Sequence, residues 1–334
     1  MHARLHRALR AFGLRRTGLT LVELMVALAV GTLLMLGAAE LFVQGLRAFR
    51  VTESVARLHE NARFALDVLE SDVQMAGYFG LAAHAGVIAG RAGPDAPPGP
   101  GPAACGNNWA VDLDRPVEAA NGYRWACAAS YGVAPWADTL VVRRAEPEPV
   151  VPAAGALHVQ SVRFGESALF AGAALPAGFD AASSQTHTLS VNGYYVSPRS
   201  TLDAPGNPVP SLRRKTLRTG PAIVDEEVLP GVEDLQVELG VDTDSEDEAG
   251  GGAVDRYVQA GDPLLDSRHP DFVPEARVLT VRIWLRARAE RPETGFTDTA
   301  RYVYADQDVG PLNDGFRRVV VSRTVQLRNA RGPR

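Results

Sequence analysis

Hydrophobic and polar positions divide the first quarter of the chain into two helical patterns. From Leu19 to Val43 the residues are apolar except for Thr20, Glu23, Thr32 and Glu40, with glycines at 31 and 37. At about 1.5 Å per residue this run covers the roughly 30 Å of a bilayer's hydrocarbon, so the pattern predicts a membrane span. From Val51 onward the apolar positions Val55, Leu58, Ala62, Ala65, Leu69, Val73 and Ala76 recur at alternating steps of three and four, one face of a helix. Phe64, Leu66, Val68 and Met75 widen that face, while Glu53, Arg57, Glu60, Arg63, Asp67 and Glu70 lie mostly away from it. Gly77 then stops the helix. Leu19 to Ala76 therefore reads as one nearly continuous helix, half apolar all round and half amphipathic. The stripe is too short and too irregularly flanked by charge for a coiled coil, which favours packing on the chain's own sheet. Gly31, Gly37 and Gly45 weaken the apolar half and leave two readings open, close packing between helices or a segment able to stretch.

Beyond Gly80 the period changes to two. Residues 91–104, RAGPDAPPGPGPAA, hold too much proline and glycine for a regular element and read as an exposed loop. Alternation predicts strands over Asp138–Arg144, Leu157–Phe164, Thr186–Val196, Val232–Val241, Ala276–Arg288, Ala300–Tyr304 and Phe316–Arg328. In RVLTVRIWLRAR the set Leu279, Val281, Ile283, Leu285 and Ala287 is expected to face the core. One long helix followed by strands, without βα repetition, predicts an α+β fold with an antiparallel β-sheet body. The organisation expected is a basic segment over 1–18, an apolar helix over 19–49, its amphipathic half over 50–80, and a β-rich body over 81–334 with loops at 91–104 and 242–253.

Charge orients this arrangement. Residues 1–18 carry five arginines and no acid, so their removal would take the formal net charge from −5 to −10. Basic residues before the span and an acidic body after it place the N terminus in the cytoplasm and the body in the periplasm, across the inner membrane. An acidic body with Lys215 as its lysine argues against nucleic acid as a partner. The cluster Arg213, Arg214 and Lys215 reads as a strand edge carrying solubilising charge. The two cysteines, Cys105 and Cys127, would in an oxidising compartment close a loop, the alternative being two buried thiols. Asp242, Asp244 and Glu246, with Asp247 and Glu248, offer oxygen ligands for calcium; a solvated hairpin tip explains the same charges, and glycine and acid are missing where an EF-hand loop needs them. No other cofactor is expected. The seven histidines are scattered, and neither a metalloprotease helix, a nucleophile elbow nor a phosphate-cradling loop occurs, so no catalytic residue is assigned.

The acid at Glu23 is the exception in the apolar run, since an unpaired carboxylate in lipid costs several kcal/mol. Its setting, GLTLVELMVAL after a basic leader, resembles the class III leader of type IV pilins and type II secretion pseudopilins. The glycine precedes the apolar run, unlike the small-residue cleavage site of a secretory signal, which follows it. The resemblance implies cleavage after Gly18 by a prepilin peptidase, N-methylation of Leu19, and pairing of Glu23 with a neighbouring subunit's N-terminal amine during assembly. Leu19 stands where that family usually has phenylalanine. HENARFALDVLESDVQMAGYFG, then VLPGVEDLQVELGVDTD, DRYV and RRVVVSRTVQLRNAR, resemble the PilW family of minor type IV pilins. No cysteine follows the Gly77–Tyr78 pair, where members of that family often carry one. The likeness implies a pilin-like fold and a minor pilin acting in pilus assembly or priming at the inner membrane and pilus tip. Its partners would be other minor pilins, the major pilin and the assembly platform. A type II secretion pseudopilin and a tip adhesin or binding module are the alternatives.

Overall fold

The computed structural model describes residues 18, 20–244 and 252–330. The expectations for Leu19, Glu246 and the leader before Gly18 lie outside the described residues. Two compact units divide at Ser54 and Val55. One helix, α1 (Leu21–Gln74), contributes to both.

In the first unit the helix is apolar on every side. Leu21, Met25, Leu28, Leu33, Met35, Leu41 and Phe42 are all largely exposed, and the helix is long and apolar enough to cross a membrane. Its start follows from local chemistry. Glu23 N–H donates to Thr20 Oγ1 at 3.2 Å, and Leu24 N–H to the Thr20 carbonyl at 3.1 Å, so Thr20 acts as the N-cap.

The second unit contains the rest of α1 and all the strands. The first sheet holds β1 (Ile88–Ala89), β2 (Val117–Asn121), β3 (Asp138–Ala145), β4 (Leu157–Val162), β5 (Ser167–Ala171), β6 (Ser184–Ser197), β7 (Ser211–Arg218) and β8 (Ala222–Pro230). Its order is β1-β5-β4-β6-β3-β2, with β7 and β8 branching from the far half of β6. The second sheet holds β9 (Val232–Asp242), β10 (Arg256–Gln259) and β11 (Arg277–Arg288). After the small hairpin of β12 (Tyr302–Tyr304) and β13 (Gln307–Val309), β14 (Arg318–Gln326) completes it, in the order β10-β9-β11-β14. The α+β class and the pilin-like plan of a long N-terminal helix with a sheet body hold. All pairings are antiparallel except that of β1 with β5.

The amphipathic stripe packs as its period requires. Leu58, Ala62, Ala65, Leu66, Leu69 and Val73 are buried, and the main core joins the helix to Leu140, Tyr194, Leu235, Val237, Val281, Ile283 and Leu285. The expected face of β11 is the buried one, Val281, Ile283 and Leu285 being fully enclosed. Gly77 ends the run in the left-handed region, φ +76°, while its N–H reaches the Arg143 carbonyl at 3.1 Å.

Three expectations change. Arg213, Arg214 and Lys215 do not form a solubilising edge: β7 lies between β6 and β8, and Arg213 and Lys215 are buried. Each pairs across the ladder, Arg213 with Asp225 at 3.0 Å and Glu227 at 3.2 Å, Arg214 with Glu226 at 2.8 Å, and Lys215 with Asp225 at 2.9 Å. Burial opposes ionisation of Asp225, but hydrogen bonds from Lys215, the Ser130 N–H and Tyr195 outweigh it and hold its carboxyl well below the usual range. Second, β4 ends at Val162, because Phe164 sits at a hairpin turn, 89% exposed. Third, residues 91–104 are irregular but not simply exposed. The buried Asn108 side chain donates to the carbonyls of Gly93 at 2.8 Å, Ala96 at 3.1 Å and Pro97 at 3.1 Å, and accepts from Gly99 N–H at 2.7 Å.

One polar group interrupts the buried face of α1. Asp72 is 4% exposed and accepts from Arg144 Nε at 2.7 Å, Asn192 Nδ2 at 2.8 Å and the Tyr194 hydroxyl at 3.0 Å. Burial and then the Asp72 charge drive the Tyr194 hydroxyl far above its ordinary value, so it stays a donor. Asp72→Ala would leave the half-buried Arg144 with Glu146 as its remaining carboxylate and strand two buried neutral donors, and is expected to cost about 3 kcal/mol in denaturant unfolding of the detergent-solubilised chain. A loss below about 1 kcal/mol would show that the apolar stripe alone holds the helix.

Candidate functional site

The residues expected to serve processing and assembly gather at the start of α1. Gly18 is exposed. Glu23 occupies the third helical position after the Thr20 cap, and Thr20 Oγ1 lies 3.5 Å from Glu23 Oε2. This T-x-x-E arrangement has the sequence of a capping box with its threonine half formed, and an acid near the helix N terminus also meets the positive end of the macrodipole. Glu23 thus has a local structural partner that a reading for charge pairing passes over. Thr20 was the legible signal for it. The box leaves a carboxylate exposed in an otherwise apolar helix surface, available to a cation presented by a neighbour.

The cysteines lie elsewhere, in the second unit. Cys105 and Cys127 are bonded, with sulfurs 2.06 Å apart. The bridge closes a loop that carries an aromatic cluster. Trp125 meets Trp109 at 5.8 Å and Tyr123 at 4.9 Å between ring centroids, and Tyr123 meets Tyr195 at 5.2 Å, all edge-on. Gly193 of β6 lies beneath this cluster, where a Cβ would come within 2.7 Å of the Trp109 ring and 2.8 Å of the Trp125 ring. Only glycine permits that approach.

Of the expected calcium ligands, Asp242 and Asp244 come together with Asp255, one oxygen of each lying within 4.8 Å of the others. Asp255 was not foreseen, because it lies across the loop on the approach to β10. Asp242 is fully buried at the base of the acidic run, while Asp247 and Glu248 lie outside the described residues. Its carboxylate already accepts from Asp244 N–H at 3.1 Å, Gly252 N–H at 2.7 Å and Arg277 Nη2 at 2.9 Å. The Arg277 guanidinium thus places a positive charge against the Asp242 carboxylate within this cluster.

A second buried carboxylate, Asp138, stands at the seam between the two sheets. Its Oδ2 accepts from Val237 N–H at 2.9 Å. Burial raises its carboxyl to about 7 against that hydrogen bond, and Asp306 and Asp234 add to the rise. Asp234 is raised in turn by burial and takes hydrogen bonds from the Tyr304 hydroxyl at 2.5 Å and from Gln236 Nε2 at 3.0 Å. These groups tie the β12–β13 hairpin to the second sheet. They form no nucleophile, base and oxyanion arrangement.

Two family models match the chain. Residues 14–39 match the prokaryotic N-terminal methylation motif, spanning Gly18, Thr20 and Glu23. Residues 193–329 match PilW, the type IV pilus-assembly protein W, from Gly193 of β6 through the whole second sheet. The chain is type IV pilin-like, with a PilW-type segment behind an N-terminal methylation motif. Among solved structures, the type IV-like pilin TTHA1219 from Thermus thermophilus is similar over 82% of this chain and 97% of its own, at 15% identity and a TM-score of 0.34. No curated protein matches at a significant level. The match and the fold point to a structural pilin. The disulfide and the rings of Trp109, Tyr123 and Trp125 precede the PilW match, while Gly193 and Tyr195 beneath them lie inside it.

Asp138 makes stability pH-dependent. Its carboxyl is raised on folding, so the protonated form is favoured and stability is full below the ordinary value of 3.8 and lost as pH rises toward about 7. Asp138→Asn, which still accepts from Val237 N–H, is expected to remove that slope and to stabilise the chain by up to about 4 kcal/mol at pH 8, with little effect at pH 4. Thermal unfolding of both proteins from pH 4 to 8 checks this; parallel curves would refute it.

Proposed function

We infer that this chain is a minor type IV pilin that takes part in pilus assembly or priming at the inner membrane and at the pilus tip. The observation that carries the reading is the presence, in one chain, of a methylation-motif helix start and a PilW-type body joined by a helix that buries only its second half. Cleavage after Gly18 by a prepilin peptidase frees the amine of Leu19, which is then methylated. The apolar first half of α1 resides in the inner membrane, with the body in the periplasm. It then transfers to a filament core, where neighbouring stems replace lipid. Other minor pilins, the major pilin and the assembly platform are the partners. Glu23 pairs with a neighbour's N-terminal amine and chiefly sets register, because the net gain from such a buried pair is small. The PilW match favours a pilus over a type II secretion machine.

The experiment is a deletion strain scored for surface pili, twitching and secretion, with mass spectrometry of the mature N terminus. Loss of pili with secretion intact, and a methylated Leu19, are expected. A chain that still begins at Met1, or normal piliation without the gene, would overturn the reading.

Glu23→Gln separates the two roles of that side chain. Glutamine still serves a capping box but carries no charge. The variant is expected to insert and be cleaved normally yet to yield far fewer pili; wild-type pilus counts would reduce Glu23 to a helix cap.

A further inference from the structure

The outer edge of β14 differs from the other strand edges of the body. An unpaired edge invites association, and the others are blunted. β1 has two residues and β10 has four. β8 carries Pro230 and a register shift against β7, while its Asp225 and Glu227 carboxylates accept from the main-chain N–H groups of Ser130 and Thr201. On β2, Ala119 accepts at its carbonyl from Gly261 N–H at 2.9 Å. By contrast β14 runs for nine residues, contains no proline, and pairs with β11 without a register shift.

The pairing shows which main-chain groups face outward. Leu327 N–H donates to the Leu279 carbonyl at 2.9 Å and Ala289 N–H to the Arg317 carbonyl at 2.8 Å, at the two ends of the β11–β14 register. Hydrogen-bonded pairs alternate in an antiparallel ladder, so Val319, Val321, Arg323 and Val325 point their N–H and C=O groups at β11. The groups of Val320, Ser322, Thr324 and Gln326 therefore point away, and among the described residues no main-chain or side-chain group bonds to them. Ser322, Thr324 and Gln326 are exposed. Beside this edge runs a groove of 520 Å³ walled by Glu70 and Gln74 of α1.

We propose that the β14 edge is a strand-addition site for an extended, uncharged segment of a different subunit of the pilus assembly. Main-chain donors and acceptors repeating every second residue are matched only by another extended strand. The segment is uncharged because both charged side chains of β14 itself, Arg318 and Arg323, are already paired within the chain. Arg323 bonds Asp67 and Glu70, and Arg318 bonds Glu233 at 2.7 Å, Asp298 at 2.8 Å and Asp314 at 2.7 Å. A second copy paired about Ser322 would bring together two clusters in which Asp67 and Glu70 share the single Arg323, each with one negative charge in excess, so a different subunit is the occupant. The identity of that subunit rests on the assembly reading above.

The test uses the full-length chain in its piliated host. A photo-crosslinking residue replaces Ser322, and the adduct is sequenced with Thr324 unchanged, with Thr324→Pro and with Thr324→Ala. Proline removes an outward N–H and spares the ladder to β11, a position where edge strands tolerate it. An adduct to an extended segment of another pilin-type subunit is expected, with yield reduced about tenfold by Thr324→Pro and unchanged by Thr324→Ala. No adduct from a chain that accumulates, an adduct to a second copy, or a yield indifferent to proline would overturn the proposal. Should Thr324→Pro fail to accumulate, the adduct at Ser322 decides alone. Normal pili in the deletion strain would sink the assembly reading itself, whereas a piliation defect there without the adduct would sink only the strand-addition site.

Discussion

Three donors converging on the Asp72 carboxylate fix how the helix sits on its sheet. An apolar stripe buries area but has little preference for one rotation or register over its neighbours, since leucine and alanine contacts are non-directional. A buried acid on that stripe has one acceptable environment, where Arg144, Asn192 and the Tyr194 hydroxyl meet it together. Sliding or turning the helix by one residue would strand the charge. Arg323 adds a second, half-exposed constraint by reaching Asp67 and Glu70 from β14. The helix is therefore seated by polar contacts from β3 and β6 on one sheet and from β14 on the other. The apolar core supplies most of the driving force, and the polar contacts choose among its arrangements.

The same division of labour explains what could be read from the residues. The stripe Leu58 to Val73 and the alternating face of β11 were legible because burial imposes its period directly on the chain. The pair β7 and β8 was not, because its buried face carries arginine, lysine and acids whose neutrality appears only when the strands are in register. Asp72 escaped notice for a similar reason, as one acid among the many polar residues of the amphipathic half. The Thr20 and Glu23 pair was open to view as T-x-x-E, but the acid's apolar surroundings drew attention to charge compensation instead. Asp255 joins Asp242 and Asp244 through the return of the chain toward β10, which no local pattern announces.

Although the body is acidic as a whole, charge pairing on its strands leaves little over for partners there. Asp225 satisfies Arg213 and Lys215, Glu226 satisfies Arg214 and Arg218, and Glu233 meets Arg286 and Arg318. Long-range steering by unpaired charge is accordingly weak on these strands. Recognition at these strands must then come from shape, apolar surface and main-chain hydrogen bonds. Two features of the chain offer those, the exposed apolar helix before Ser54 and the open edge of β14.

An open edge is tolerable in a protein of this kind only if its exposure is brief or its partner abundant. The adjacent Arg323 is held against the stem, and the outward faces of Ser322, Thr324 and Gln326 are polar, so an added strand gains main-chain hydrogen bonds but little apolar burial. Such an interface is weak by itself. Holding two subunits by their helices in one membrane raises their effective concentration, which converts weak edge pairing into stable docking without new contacts. The two halves of the chain therefore depend on each other: the helix confines the body to a surface where a modest edge suffices, and the edge gives direction to an association that apolar helices alone would leave unspecific.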